Sequence, residues 1–160
     1  MRVGLGFDVH PFGADGTLVL GGVSLEGRML VGHSDADAVA HAVADALLGP
    51  VGLPDLGALF PADDEETRAA VSIEMLRDVA ARVARAGWRV ENVDVVVAAE
   101  EPKLAPYLDR MRANIAAALV PAGDAHVSIT PKHGEGVGAV GRGEGVAVWA
   151  VALLEPITRH

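Results

Sequence analysis

The opening strand constrains this chain most. In RVGLGFDVH (2–10), Val3, Leu5, Phe7 and Val9 alternate with Gly4, Gly6, Asp8 and His10. A period of two sends the two sets to opposite faces of a strand. The apolar set predicts a face turned to the core. The glycine, Asp and His set predicts a bare, polar face with room for a ligand. Asp8 and His10 share that face at i, i+2 spacing, a pattern that surface polar alternation would also produce.

The rest of the chain alternates between helical and extended patterns. Residues 35–48 read as a helix, with Ser34 and Asp37 as a capping box and Gly49-Pro50 as the stop. A second helix is predicted from Thr67 to Ala86, burying Ile73, Leu76, Val79 or Ala80, and Val83, with Gly87 ending it. NVDVVVAA (92–99) is rich in β-formers, and Leu104, Leu108, Met111, Ile115 and Leu119 mark a third amphipathic helix. HVSIT (126–130) and GVAVWAVALL (145–154) complete the strands, with a glycine-studded loop between them. This order predicts a single α/β domain over 1–160, a sandwich with helices on one face of one sheet. The last strand is apolar on both sides. It is either sandwiched between the core and a neighbouring subunit or a well-covered central strand.

Composition narrows the function. The chain has no cysteine, so a metal would need His, Asp or Glu ligands. Twenty-two acidic against 13 basic residues give a net charge of −9, which disfavours a nucleic-acid backbone. A small phosphorylated ligand would need bound cations and a few placed bases to reverse the field locally. Asp8 interrupts the N-terminal apolar run too early for a secretory signal, and VAVWAVALL is about half of a membrane span. The expectation is a soluble cytoplasmic protein with no nucleic-acid or membrane partner.

Asp37, His41 and Asp45 fall four apart on the first helix and form one stripe. An imidazole flanked by carboxylates suits a metal ligand whose second nitrogen needs an acceptor. A solvated helix face with Asp37 as a cap is the alternative. Asp8, His10 and His41 together would make the two-His, one-carboxylate set of a catalytic zinc site. His33 and Ser34 precede the helix N-terminus, where a phosphate could sit, though Ser34 could equally be only the cap. In GEGVGAVGRGEG (134–145), Glu135 is a hard oxygen ligand suited to Mg²⁺ and Arg142 a fork for phosphate. Lys103 reads as a phosphate partner or a solvated charge.

Taken in order, GFDVHPFG (6–13), GHSDADAVAHAVADALLG (32–49), PDLGALFP (54–61), EPKLAP (101–106) and GRGEG (141–145) resemble the 2-C-methyl-D-erythritol 2,4-cyclodiphosphate synthase family of the non-mevalonate isoprenoid pathway. The resemblance implies a ferredoxin-like subunit with a mainly four-stranded sheet, assembled as a homotrimer with active sites between subunits. It implies a lyase that converts a cytidine-diphospho-methylerythritol 2-phosphate to the cyclic diphosphate and CMP. Asp8, His10 and His41 match the Zn²⁺ ligands, and Glu135 matches the ligand of a second ion, Mg²⁺ or Mn²⁺. His33, Ser34, Lys132 and His133 fall at catalytic positions. Substrate contacts are implied at those four residues, at Asp8 and His10, and at Asp55, which holds the erythritol hydroxyls. They extend along Leu56, Gly57, Phe60, Asp63 and Asp64, and to Gly134, Glu135 and Arg142. Lys103 and Leu104 match a cytidine-side wall supplied by the neighbouring chain. Arg142 and Glu144 match residues lining the trimer axis, where an isoprenoid diphosphate is a further implied ligand.

The chain departs from the family pattern at TPKHGE (130–135), where Lys132, His133 and Gly134 replace a run of threonines. Ala62 replaces an acid and Ala139 an aromatic. The expectation is an active cyclase with an altered cytidine pocket, in which restored threonines at 132–134 change substrate affinity. Two other readings compete. One is a metal phosphohydrolase using the same ligands, for which Asp37 and Asp45 seated on His41 leave no evident base. The other is a trimer that binds isoprenoid diphosphates with a decayed site.

Overall fold

The computed structural model describes residues 1–32, 34–63 and 70–158. Its strands are β1 (Arg2–Leu20), β2 (Val23–Leu30), β3 (Trp88–Ala98), β4 (His126–Lys132) and β5 (Gly145–Pro156). Its helices are α1 (Ala38–Val51), the short α2 (Leu56–Leu59), α3 (Ser72–Arg85), α4 (Leu108–Leu119) and the short α5 (Gly138–Gly141). Among the described residues the sheet has five strands in the order β2-β1-β5-β3-β4. Only β3 and β4 run parallel, joined by the α4 crossover.

The helices lie on one face, as expected, but two features of the topology differ. The main sheet runs β-α-β-α-β-β along the chain, not the β-α-β-β-α-β order of a ferredoxin-like unit. The expected four strands become five because β1 continues past a register shift between Phe12 and Asp15 and pairs with β2 as a hairpin. Gly21 and Gly22, with φ of 56° and 67°, make its two-residue turn.

The expected facing of β1 is reversed. Gly4 and Gly6 are buried beneath α1, while Val3, Leu5, Phe7 and Val9 are exposed on the uncovered side of the sheet. The physical reason is the closeness of α1. A Cβ on Gly4 would lie 1.9 Å from the Ala46 carbonyl oxygen, and one on Gly6 would lie 1.9 Å from that of Ala42. Glycine here admits a helix backbone instead of leaving a vacant face. Pro50, inside α1, has no N–H for the Ala46 carbonyl, which instead points at Gly4.

Helix α1 also starts three residues later than expected and ends later. Asp37 is its N-cap, accepting from Val39 N and Ala40 N, and Gly52 closes it at φ 73°. Gly49 and Pro50 therefore lie within the helix, and Ser34 is not its cap. Asp37 is fully buried because it also accepts from Gly21 N at 2.8 Å and Gly22 N at 2.7 Å, tying the hairpin turn to the helix start. Asn114 Nδ2 donates to the carbonyls of both glycines. Burial raises the Asp37 carboxyl's pKa, with the Gly22, Ala40 and Gly21 N–H groups working in the other direction.

Helix α3 starts at Ser72, not Thr67, which lies outside the described residues. It buries Met75, Leu76, Val79, Ala80 and Val83, while Ile73 is half-buried. With Leu18, Leu20, Leu47, Leu48, Met111, Ile115 and Leu154 these side chains form one core between helices and sheet.

Candidate metal centre

The close packing of α1 on β1 creates the site. As the strand advances from Gly4 to Gly6, the facing helix residue falls from Ala46 to Ala42. The next inward strand residues, Asp8 and His10, then meet His41. Asp8 Oδ2 lies 3.0 Å from His10 Nε2 and 3.1 Å from His41 Nδ1. One ligand atom from each of the three residues falls within 4.8 Å of the others.

Both rings have their second nitrogen engaged. His10 Nδ1 lies 2.8 Å from the Val31 carbonyl oxygen, which can only accept, so this nitrogen carries the proton and Nε2 presents a lone pair in the neutral ring. His10 Nε2 is buried without an aligned hydrogen-bond partner, despite its closeness to Asp8. An orphaned imidazole lone pair beside a carboxylate and a second imidazole fits a cation. Hard and borderline donors with no thiolate suit Zn²⁺. Burial works to raise the Asp8 carboxyl's pKa, but the hydrogen bonds and charges of His10 and His41 hold it well below the usual carboxylate range. The pKa of His10 is raised, chiefly by Asp8, against the effect of burial.

A pocket of about 330 Å³ opens over this group, lined by Ser34, Asp45, Leu56, Gly57, Phe60, Ala62 and Met75 as well as Asp8, His10 and His41. Asp37 and Asp45 do not orient His41, contrary to the stripe reading. Asp37 is spent on the N–H groups of 21, 22, 39 and 40, and Asp45 accepts from Leu56 N at 2.9 Å. Burial pushes the Asp45 carboxyl's pKa up. His41 Nε2 instead meets Ser72 Oγ at 2.9 Å, a residue that sequence reasoning missed because it lies 31 positions away. An anion on the N-terminus of α1 is also not supported, since Asp37 already occupies the N–H groups of Val39 and Ala40.

The other expected site residues are dispersed. Asp55 caps α2 through Ala58 N at 2.8 Å and does not line the pocket, and Asp63 is exposed. His33 and Asp64 lie outside the described residues. Lys103 and Arg142 line a second pocket of about 850 Å³ with Arg28, Glu100 and Glu101, while Leu104 is buried. Arg142 Nε donates to Glu144 at 2.6 Å. Lys132, His133 and Glu135 are exposed and line neither pocket, and Glu135 stands apart from the Asp–His–His group. Gly134 packs on Gly141 and gives its N–H to Glu100.

The YgbB family model matches residues 1–155. A bifunctional enzyme IspD/IspF of Anaeromyxobacter sp. (strain Fw109-5) is 53% identical over 155 residues, covering 96% of this chain and 40% of that protein. The chain thus spans well under half the length of such bifunctional relatives. The 2-C-methyl-D-erythritol 2,4-cyclodiphosphate synthase of Rubrobacter xylanophilus is 53% identical over 159 residues, covering 96% of this chain and 94% of the relative. Among solved structures, the CDP complex of Plasmodium falciparum IspF superposes with a TM-score of 0.83 at 29% identity, covering 98% of this chain and 97% of its own. With this match over nearly its whole length, the chain belongs to the YgbB family.

Proposed function

We propose that the chain is a metal-dependent lyase that converts 4-diphosphocytidyl-2-C-methyl-D-erythritol 2-phosphate to 2-C-methyl-D-erythritol 2,4-cyclodiphosphate and CMP. The observation that carries this reading is the Asp8–His10–His41 group beneath an open pocket, in a chain of this family. An oxygen of the substrate's 2-phosphate attacks its own β-phosphorus, and the bond from that phosphorus to the CMP oxygen breaks. CMP leaves with the electron pair and the ring closes. No external nucleophile is required, so the protein's task is to bring two phosphates together and offset their charge.

Asp8, His10 and His41 would hold Zn²⁺, and Glu135 a Mg²⁺ or Mn²⁺, cations that neutralise phosphate oxygens as charge develops on them. Ser34 lines the same pocket, and it and His33 beside it are proposed as phosphate contacts. Leu56, Gly57 and Phe60 line that pocket and are proposed as the wall against which the erythritol lies, with Asp55 holding its hydroxyls and Asp63 and Asp64 as further substrate contacts. Lys132, His133 and Gly134, with Lys103, Leu104 and Arg142, are proposed to serve the nucleotide half. Glu135 and Lys132 stand apart from the Asp–His–His pocket of their own chain. That separation supports a homotrimer whose neighbouring chain completes each site. The exposed apolar face of β1 and β5 is the surface proposed for assembly. A trimer axis near Arg142 and Glu144, an isoprenoid diphosphate bound there, and a cytoplasmic location belong to the same reading.

Phosphorus NMR of the protein with this substrate, with and without EDTA, tests the proposal. The expected result is metal-dependent appearance of CMP and a cyclic diphosphate together. CMP with an open-chain phosphate would show a phosphohydrolase. Bound zinc without turnover would mean that the exchange at TPKHGE (130–135) has cost the activity.

A further inference from the structure

His41 reaches the metal group only if its ring is in one tautomer and one orientation, and the hydrogen bonds around Ser72 decide both. Ser72 is 1% exposed at the first turn of α3. Its hydroxyl hydrogen goes to Asp35 Oδ1, and its backbone N–H points at both oxygens of the same carboxylate, at 3.2 and 3.3 Å. A hydroxyl has one hydrogen and two acceptor positions. With that hydrogen committed to Asp35, Ser72 Oγ is left as an acceptor. His41 Nε2 at 2.9 Å and Ser34 Oγ at 3.2 Å are then its donors. Ser34 Oγ is 3.5 Å from His41 Nε2, too far to compete. Ser72 Oγ thus offers Nε2 an acceptor for the ring proton, which frees Nδ1, 3.1 Å from Asp8 Oδ2, to present its lone pair when a cation sits between them.

We propose that Ser72, oriented by Asp35, is the positioning residue for His41, locking the Nε2-protonated tautomer that turns Nδ1 toward the cation. This rests on the metal-centre reading above and adds the outer-shell partner that a ligating imidazole requires. His10 has its counterpart in the Val31 carbonyl. The two rings are thus set by opposite nitrogens, Nδ1–H in His10 and Nε2–H in His41. Without the Asp35 acceptor, the Ser72 hydroxyl is free to donate to Nε2, and the ring would then present a proton where the ligand lone pair should be.

The test combines zinc titration against a competing chelator with nitrogen NMR of the histidine rings in chelator-treated protein at mildly alkaline pH. Wild type, Ser72→Ala, Ser72→Thr and Asp35→Asn are compared. Ser72→Ala and Asp35→Asn are expected to weaken zinc binding by about 10- to 100-fold. Their His41 ring signals should shift from Nε2–H toward the Nδ1–H tautomer, in which the ring donates to Asp8. Ser72→Thr keeps the hydroxyl and should stay within about threefold of wild type. If Ser72→Ala does not fold, Asp35→Asn carries the test, since it preserves shape, removes the charge and replaces one of the two acceptor oxygens used by Ser72 with a donor. Wild-type zinc affinity and tautomer in both Ser72→Ala and Asp35→Asn would overturn the proposal while leaving the metal centre standing. A wild-type protein that binds no zinc would overturn the metal reading and this proposal together.

Discussion

With both rings turned on Asp8 Oδ2, the metal-free site has a pH response of its own. Asp8 is depressed below its ordinary 3.8, so its contribution to stability is present above that value and lost as pH falls through the lower folded value. His10 is raised above 6.5, so its contribution is complete below 6.5 and lost as pH rises through the raised folded value. The chelator-treated protein should therefore be favoured by this pair between 3.8 and 6.5 and lose the increment on going alkaline. Zinc binding at the proposed site would run the other way, because a proton on His10 competes with the cation. Thermal melts with and without chelator across mildly acidic to mildly alkaline pH should show the zinc-induced rise in Tm growing with pH. A rise independent of pH would mean that histidines do not hold the ion. At the same scale, the exchange at 132–134 is not freely reversible. A Cβ on Gly134 would lie 2.4 Å from Gly141 N, a backbone atom, so Gly134→Thr should cost about 1–3 kcal/mol in a urea melt. Threonines at exposed 132 and 133 should leave stability unchanged and alter KM. Asp8, His10 and His41 were legible because each sits in a short local pattern. Asp35 and Ser72 were not, because their meeting across 37 positions exists only once α3 packs beside α1.

At the scale of elements, Gly4 and Gly6 show why alternation alone misread β1. The pattern reports that two faces differ, but which face is covered depends on what packs there. Here the covering surface is a helix backbone that tolerates no side chain beneath it. Gly6→Ala should destabilise by about 1–3 kcal/mol and lower zinc affinity with it, since the Cβ must lift α1 and His41 away from Asp8. Gly49→Ala on the same helix is the contrast. A Cβ there meets nothing within 4 Å beyond its own helix and chain neighbours, so the change should stay within about 1 kcal/mol, the gain in helix propensity offset by crowding against the Pro50 ring. Denaturant melts of the two variants separate close packing from general sensitivity of α1. The hairpin was legible in principle, since TLVLGGVSLEG places two glycines between alternating apolar residues. The late start of α1 was not, because the buried role of Asp37 depends on N–H groups of the hairpin turn.

At the scale of the whole molecule, helices cover one face of the sheet and leave the other bare. Val3 and Leu5 are each 68% exposed, Phe7 50% and Val9 54%, and on the neighbouring strand Trp149 and Val151 are each 42% exposed. Leu5 pairs with Val151 and Phe7 with Trp149 across β1 and β5, so these side chains form one continuous apolar stripe. A contiguous patch of this kind is unfavourable in water and marks an interaction surface, the one proposed above for assembly. The long last strand, apolar on both sides in the sequence, thus has one side in the core and one on this stripe. If three copies close over the stripe, Leu5→Glu introduces a charge that an isolated subunit tolerates and an assembled one does not. The expected outcome is a shift from trimer to monomer in sedimentation, with helical content retained. Zinc binding should persist, because Asp8, His10 and His41 come from one chain. Cyclase activity should fall at least tenfold, because the proposed nucleotide half of each site is supplied by a neighbour. A monomeric variant with full activity would mean that one chain completes its own site, and a trimer unaffected by Leu5→Glu would place the subunit contact elsewhere.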